Sequence, residues 1–201
     1  MGIVGGVASG KSSVSNLLRL RGAHVLDADR AGHEVLLLPA VEQAARERWG
    51  AAIFAADGHI DRKALAKLVF APPPDGPREL KYLEGLSHPK IAELLGKEIS
   101  ELATQGRVEL VVLDAPVMIK AGWDKFCDRV LYVDVPRDVR AGRAAARGWI
   151  QDEFARREAA QESCEVKRSL ADLVVDNSGT IAETQVQIER LWPQLIAANK
   201  D

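Results

Sequence analysis

Gly5-Gly6-Val7-Ala8-Ser9-Gly10-Lys11-Ser12-Ser13, GGVASGKSS, stands almost at the start of the chain. Its first eight residues fit G-x-x-x-x-G-K-[ST] in full. The apolar run Met1–Val4 before it reads as a buried strand, and SSVSNLLRL puts Val14, Leu17 and Leu18 on one helical face after it. Strand, glycine-rich loop, helix is the setting of a phosphate-binding P-loop. Glycine lets backbone approach an anion closely. The loop N–H groups and the helix N-terminus then face phosphate oxygens. Lys11 supplies a point charge to the β/γ-phosphates, and Ser12 supplies a hydroxyl for Mg²⁺. Gly6, Ala8, Ser9, Gly10, Lys11, Ser12 and Ser13 are the candidate nucleotide-binding residues.

The loop leaves the base of the nucleotide open. Guanine-specific switches carry N-K-x-D after a strand. Asn199-Lys200-Asp201 lacks the spacer and ends the chain, and Asp29-Arg30-Ala31-Gly32 imitates D-x-x-G but follows Lys11 too soon. ATP is the expected nucleotide.

Short apolar runs alternate with amphipathic segments along the rest of the chain. AHVLDAD (23–29), VELVVLDAP (108–116), RVLYVDVP (129–136) and ADLVVDNSG (171–179) read as strands. HEVLLLPAVEQAARERWG (33–50) is helical with a break at Pro39, DRKALAKLVF (61–70) is a helix capped by Asp61, and PKIAELLGKEISELATQG (89–106) is a long helix ended by Gly106. APPPDGP (71–77) reads as a loop or tight turn. IAETQVQIERLWPQLIAA closes the chain as a helix. The pattern predicts an α/β, P-loop NTPase-like three-layer fold with a parallel sheet. All 201 residues form one domain, with a helical subdomain at about 60–106 and an arginine-rich lid at about 137–165.

Composition excludes several classes. A net charge of -2 gives no global field for nucleic acid. No apolar run approaches the roughly 20 residues of a membrane helix, and no signal peptide is visible. Cys127 and Cys164 lie far apart without C-x-x-C spacing, so a reduced cytoplasmic protein is expected and a zinc site is not.

Ligands of open α/β sheets gather at the carboxyl ends of the strands. Asp27 and Asp29 close the second strand, and a period of two places them on one face if the strand runs that far. Either carboxylate beside a γ-phosphate could take a proton from an acceptor hydroxyl; Asp29 could equally cap the next helix. Asp114 after Val-Val-Leu is a candidate Mg²⁺ carboxylate or a turn residue before Pro116. Arg137, Arg140, Arg143 and Arg147 share helical spacing, with Arg156 and Arg157 beyond. They suit a lid over ATP, or a solvated helix paired with Glu153, Glu158 and Glu162.

Together these segments resemble the dephospho-CoA kinase family over nearly the whole chain, in order. GGVASGKSS is similar to its phosphate loop, and DAD with RAGHEV resembles its acceptor-side aspartate motif. LEGLSHPKI (83–91) is similar to a specific Leu-Glu-x-Leu-x-His-Pro segment. RAAARGWIQDEFARREAAQ resembles the lid, with Arg-x-x-x-Arg-Gly and a closing Arg-x-x-x-Gln, and ADLVVDNSG resembles the stretch bordering adenine. The resemblance implies transfer of the ATP γ-phosphate to the ribose 3′-hydroxyl of dephospho-CoA, with Mg²⁺. It makes Asp29 the base or hydroxyl-orienting group, Lys11, Arg143 and Arg147 the groups stabilising the phosphoryl in flight, and Arg157 an aid to lid closure. It places His88 and Pro89 with Asp29 on the acceptor side, and Asn177 and Gly179 by the ATP base. The chain departs from the family at Ile119 and Lys120, where an aromatic and a glutamate are usual, and at Val4, where threonine is common. The competing readings are a nucleoside or nucleotide monophosphate kinase, against which LEGLSHPKI argues, and a non-enzymatic P-loop switch. Oligomeric state is not legible.

Overall fold

The computed structural model describes residues 1–106 and 108–197. Asn199-Lys200-Asp201 lie outside the described residues, as does Ala198 at the end of the last predicted helix.

The backbone forms two compact units, Met1–Asp27 with Glu101–Asp201, and Ala28–Ser100. In the first, strands β1 (Gly2–Gly5), β2 (His24–Asp27), β3 (Val111–Asp114), β4 (Val130–Asp134) and β5 (Leu173–Asp176) make one sheet in the order β2-β3-β1-β4-β5. Every pairing is parallel, as the continuous apolar runs predict. β1 is central, so its carboxyl end at Gly5 lies beside Val133 of β4, and Ile3 pairs with Asp114 of β3. The loop after β1 therefore opens where neighbouring strands also end, which is where ligands of such sheets collect.

Alternation divides the strand residues between two faces. Ile3, Val112, Leu131, Val133 and Val175 join Val14 and Leu18 of helix α1 (Lys11–Leu20) and Ile188, Trp192 and Leu195 of helix α9 (Ile181–Ile196) in one buried cluster. On the other face, a Cβ on Gly2 would meet the Met118 sulfur at 2.5 Å, so the segment after β3 lies directly on the sheet. Helix α9 starts at a capping box in which Thr180 and Glu183 satisfy each other's backbone N–H groups. Helices α6 (Arg137–Ala146), α7 (Gln151–Ala159) and α8 (Cys164–Ser169) occupy the predicted lid segment between β4 and β5.

Three expectations change. β2 stops at Asp27, and helix α2 (Ala28–Leu36) begins at once, so Asp29 lies in a first helical turn and not on a strand face. A carboxylate there complements the helix dipole, and the exposed side chain is free of the sheet's alternation. Helix α5 runs unbroken from Asp75 to Gln105 with Pro89 inside, so the helix expected to start at Pro89 starts 14 residues earlier and His88 is mid-helix. The missing Pro89 N–H is tolerated in a half-exposed helix with Gly85 one turn earlier, and Ser87 donates to the Leu83 carbonyl at 2.8 Å. For the same reason only Ala71–Pro74 of APPPDGP is a connection; Asp75, Gly76 and Pro77 form the first turn of α5.

The second unit is helical from Ala28 onward, well before residue 60: α2, α3 (Pro39–Trp49), a one-turn 3₁₀ helix (Ala51–Ile53), α4 (Arg62–Val69) and most of α5. Asp61 caps α4, accepting from the Lys63 and Ala64 N–H groups. Ala45, Ile53, Ile60, Leu65 and Val69 are its core. Beside them Glu79 is buried and accepts from Arg48 Nε and Nη2 at 2.9 Å, from Arg78 Nε at 2.8 Å and from Trp49 Nε1 at 2.8 Å. These donors, Arg48 foremost, hold its carboxyl down to about 2.

A carboxyl lowered in this way stabilises the fold fully above the ordinary glutamate range, and its contribution is lost as pH falls toward 2. Glu79→Gln should therefore lower the urea midpoint most near neutral pH, with the gap to wild type closing below about pH 4. A gap of constant size from pH 7 to 3 would assign the loss to packing.

Candidate active site

Between Gly5 and α1 the chain makes a turn closed by the Ser9 N–H on the Gly6 carbonyl at 3.1 Å. Ala8 and Gly10 take left-handed backbone, with φ of 61° and 83°. Alanine tolerates this only under constraint, and glycine takes it readily. Helix α1 then opens with no side-chain cap and no acid in its first turn. Its positive end is thereby left for an anion, with Lys11 half-buried and Ser12 exposed at the rim.

A loop that turns N–H groups inward turns carbonyls outward, and here the protein meets them with cations and an amide. Lys167 Nζ approaches the Gly5 carbonyl at 3.4 Å, Arg140 Nη1 donates to Val7 at 3.2 Å, and Arg143 Nη1 donates to Ser9 at 3.3 Å. Asn177 Nδ2 adds a bond to the Ser9 carbonyl at 2.8 Å. Gly6 is needed for this arrangement, since a Cβ there would meet the Arg140 guanidinium carbon at 2.8 Å. A Cβ on Gly10 would strike the Asn177 amide.

Asn177 is buried, and both ends of its side chain are engaged: Nδ2 by Ser9, Oδ1 by the Thr184 hydroxyl at 2.9 Å. Its backbone carbonyl accepts from Arg143 Nη2 at 2.7 Å. Gly179 is exposed nearby, in a groove with Ser178, Ala182, Val186 and Gln187.

The arginine-rich segment divides by role. Arg137 and Arg140 share Glu158, at 2.9 and 2.7 Å, and Arg157 pairs with Glu153 at 2.9 Å while lying over Trp149. Those pairs are the solvated-helix arrangement, except that Arg140 is buried. Arg143 holds the loop. Arg147 is exposed just past the end of α6; its backbone N–H donates to the Ala144 carbonyl, and its side chain has no ion pair or hydrogen bond among the described residues. The segment also has an apolar seat, because Val7 of the loop packs with Ala144 and Phe154.

At the end of β3, Asp114 is half-buried and accepts from Ser15 Oγ at 3.0 Å. Ser15 sits one turn into α1, so the carboxylate is oriented toward the helix that carries Ser12. Ile119 lines a small cavity with Lys11, Pro116 and Lys167, and Lys120 next to it is exposed. Val4 is buried in β1 and lines the same cavity, where a methyl group suits the strand's apolar surroundings.

Asp29, His88 and Pro89 belong to the other unit, with Asp29 exposed in the first turn of α2 and His88 half-buried within α5. Arg140, Lys167, Ser15 and Thr184 were not singled out as site residues by sequence. Only Arg140, spaced with the other arginines, carried any signal.

Known proteins resemble this chain over nearly its whole length. The sequence profile described as dephospho-CoA kinase matches residues 1–183. A dephospho-CoA kinase of Symbiobacterium thermophilum is 38% identical over 96% of this chain and 79% of its own length. One from Geobacter sulfurreducens is 37% identical over 96% of both chains. A crystal structure from Thermus thermophilus superposes with a TM-score of 0.80 at 34% identity, covering 96% of each chain. The dephospho-CoA kinase of Campylobacter jejuni, 19% identical with a TM-score of 0.64 over 98% of this chain and 97% of its own, shares the fold.

Gly10→Ala should weaken ATP binding by at least about ten-fold, since both the φ and the Asn177 amide oppose a side chain there. Fluorescent-nucleotide titration reads it; unchanged affinity would mean that the loop does not bind phosphate in this shape.

Proposed function

This chain belongs to the dephospho-CoA kinase family, and we propose how its residues divide the work of transferring the ATP γ-phosphate to the ribose 3′-hydroxyl of dephospho-CoA. The observation that carries the assignment is the loop from Gly5 to Ser12, open at the helix end and braced from behind by Arg140, Arg143 and Asn177. Phosphoryl transfer asks little covalent chemistry of a protein; positioning and charge supply the rate.

Gly6, Ala8, Ser9, Gly10, Lys11, Ser12 and Ser13 hold the ATP phosphates, with Lys11 at the transferred group. Arg147, exposed and without a partner among the described residues, is the lid cation left to meet developing charge. Arg143 contributes by holding the Ser9 and Asn177 carbonyls, which fixes the loop relative to the Asn177–Gly179 turn that borders the base. Arg157, paired with Glu153, stiffens α7 within the lid. Asp29 accepts the proton of the acceptor hydroxyl, supported by its exposed place in the first turn of α2 and by the family resemblance. His88 and Pro89 contribute to acceptor binding from α5.

The donors available for Mg²⁺ are hard oxygens, the Ser12 hydroxyl and the Asp114 carboxylate. Mg²⁺ takes few protein ligands and fills its shell with water and phosphate oxygens, so this sparse set fits it. Among the described residues no group of ≥ 3 His, Cys, Asp or Glu forms a metal cluster. When bound, the ion neutralises charge on the β- and γ-phosphate oxygens. Both cysteines are free thiols, and no helix among the described residues is long and apolar enough to cross a membrane. A cytoplasmic enzyme acting on the small molecules ATP and dephospho-CoA is the reading that the family supports.

ADP release with a panel of acceptors tests the assignment: dephospho-CoA should turn over, while adenosine, nucleoside monophosphates and shikimate should not. Asp29→Asn should lower kcat on the order of 100-fold with ATP affinity unchanged. Near-normal turnover of that variant would remove Asp29 as the base. Arg147→Ala should lower kcat more than it raises KM for ATP, and a pure KM effect would reassign it to ground-state binding.

A further inference from the structure

We propose that Lys167 is a positioning residue of the phosphoryl-transfer site: its buried ammonium lies behind the phosphate loop, against the Gly5 carbonyl, and shares a cavity with Lys11, so that the two lysines together form the positive floor of the triphosphate site. The proposal rests on the loop being the ATP site.

Lys167 is only 4% exposed. Its hydrogen-bond acceptors are Gln161 Oε1 at 2.7 Å and the Gly5 carbonyl at 3.4 Å. Neither carries a full charge, and among the described residues no carboxylate lies within ion-pair distance. The charged and titratable neighbours are mixed: Lys11 and Arg140 repel the ammonium, while Glu162 and Cys164 favour it more weakly than burial opposes it. The net effect holds the amine below the ordinary lysine range.

A protein interior seldom keeps a cation that lacks a carboxylate and faces other cations. The arrangement becomes favourable when an anion arrives. The anion must be reachable from Lys11 and the Gly5–Ser12 loop, and a polyphosphate is the chemistry that loop takes. Val4, Gly5, Lys11, Pro116, Ile119 and Lys167 line one small void beside the loop, too small for a phosphate group, so Lys167 acts on the phosphates through the loop and through Lys11. Lys167 therefore acts in two ways. Bound to Gly5, it helps fix where the loop leaves β1. As a like charge beside Lys11, it biases that side chain toward the incoming phosphates.

Gln161 adds a mechanical link. It follows the end of α7, and Lys167 lies in α8, so the ammonium ties the end of the lid segment to the first residue of the loop.

A charge-based role has a signature that a merely structural one lacks: its effect grows with the number of phosphates on the ligand. Calorimetric titration of wild type, Lys167→Met and Lys167→Arg with ATP, ADP and AMP reads it. Lys167→Met should weaken ATP by roughly ten-fold, ADP by less and AMP least, and Lys167→Arg should recover most of the ATP affinity. Equal losses for all nucleotides, no loss, or an arginine variant no better than methionine would overturn the proposal. Should Lys167→Met not fold, Gln161→Ala, which keeps the charge but frees it, should show a smaller loss graded in the same order. An unchanged ladder in that variant would also overturn it. Failure of wild type to bind ATP would instead count against the loop as the nucleotide site.

Discussion

The constraint on which the site depends is the direction of the peptide group. Each amide that turns its N–H toward a phosphate turns its carbonyl the other way, into protein, where an unpaired acceptor is costly. At Gly5, Val7 and Ser9 those carbonyls meet Lys167, Arg140, and Arg143 with Asn177. The partners are more than fillers of hydrogen-bonding capacity. A cation on a carbonyl polarises the whole peptide and strengthens the dipole on its other face. The cradle's affinity for anions is thus built partly from behind, by side chains that need never touch the nucleotide.

The two units handle buried charge in opposite ways. In the helical unit, Glu79 is an anion encircled by Arg48, Arg78 and Trp49, complete without any ligand. In the sheet unit, Arg140 finds a partner in Glu158, but Lys167 finds none of opposite charge among the described residues. Compensated charge serves stability and specificity of packing. Uncompensated charge beside a phosphate loop is kept at the expense of stability, and sites of function are where such local conflict is expected.

Much of this was legible in the sequence. The apolar runs gave away the parallel sheet because a strand buried on both faces has no polar alternation, and the loop pattern marked the turn between β1 and α1. What failed to read correctly failed for local reasons. Asp27-Ala28-Asp29 has the period of a strand, yet the helix signal of the residues after it takes over at Ala28. Pro89 looked like a helix start because proline usually is one, but α5 is long enough on both sides to absorb the lost bond. The arginines could not be ranked, since helical spacing does not say which of them meets Glu158, which meets Ser9 and which meets solvent. Lys167 was invisible: nothing in CEVKRS separates it from Arg168, which is exposed and paired with Asp134. Only the fold buries one and not the other.

The apolar seat of the lid has a mechanical meaning. Val7 is shared between the loop and the cluster of Ala144 and Phe154, and Arg140 and Arg143 grip the same backbone. The base of α6 therefore cannot lift away as a rigid flap while the loop keeps its shape. The turn after α6 is tied to it as well: the Gly148 and Trp149 N–H groups donate to the Ala145 and Ala144 carbonyls, and Trp149 packs on the same apolar cluster. Any movement of the base of α6 is consequently also a movement of the Val7 and Ser9 carbonyls, and the loop inherits the stiffness of the helix that grips it.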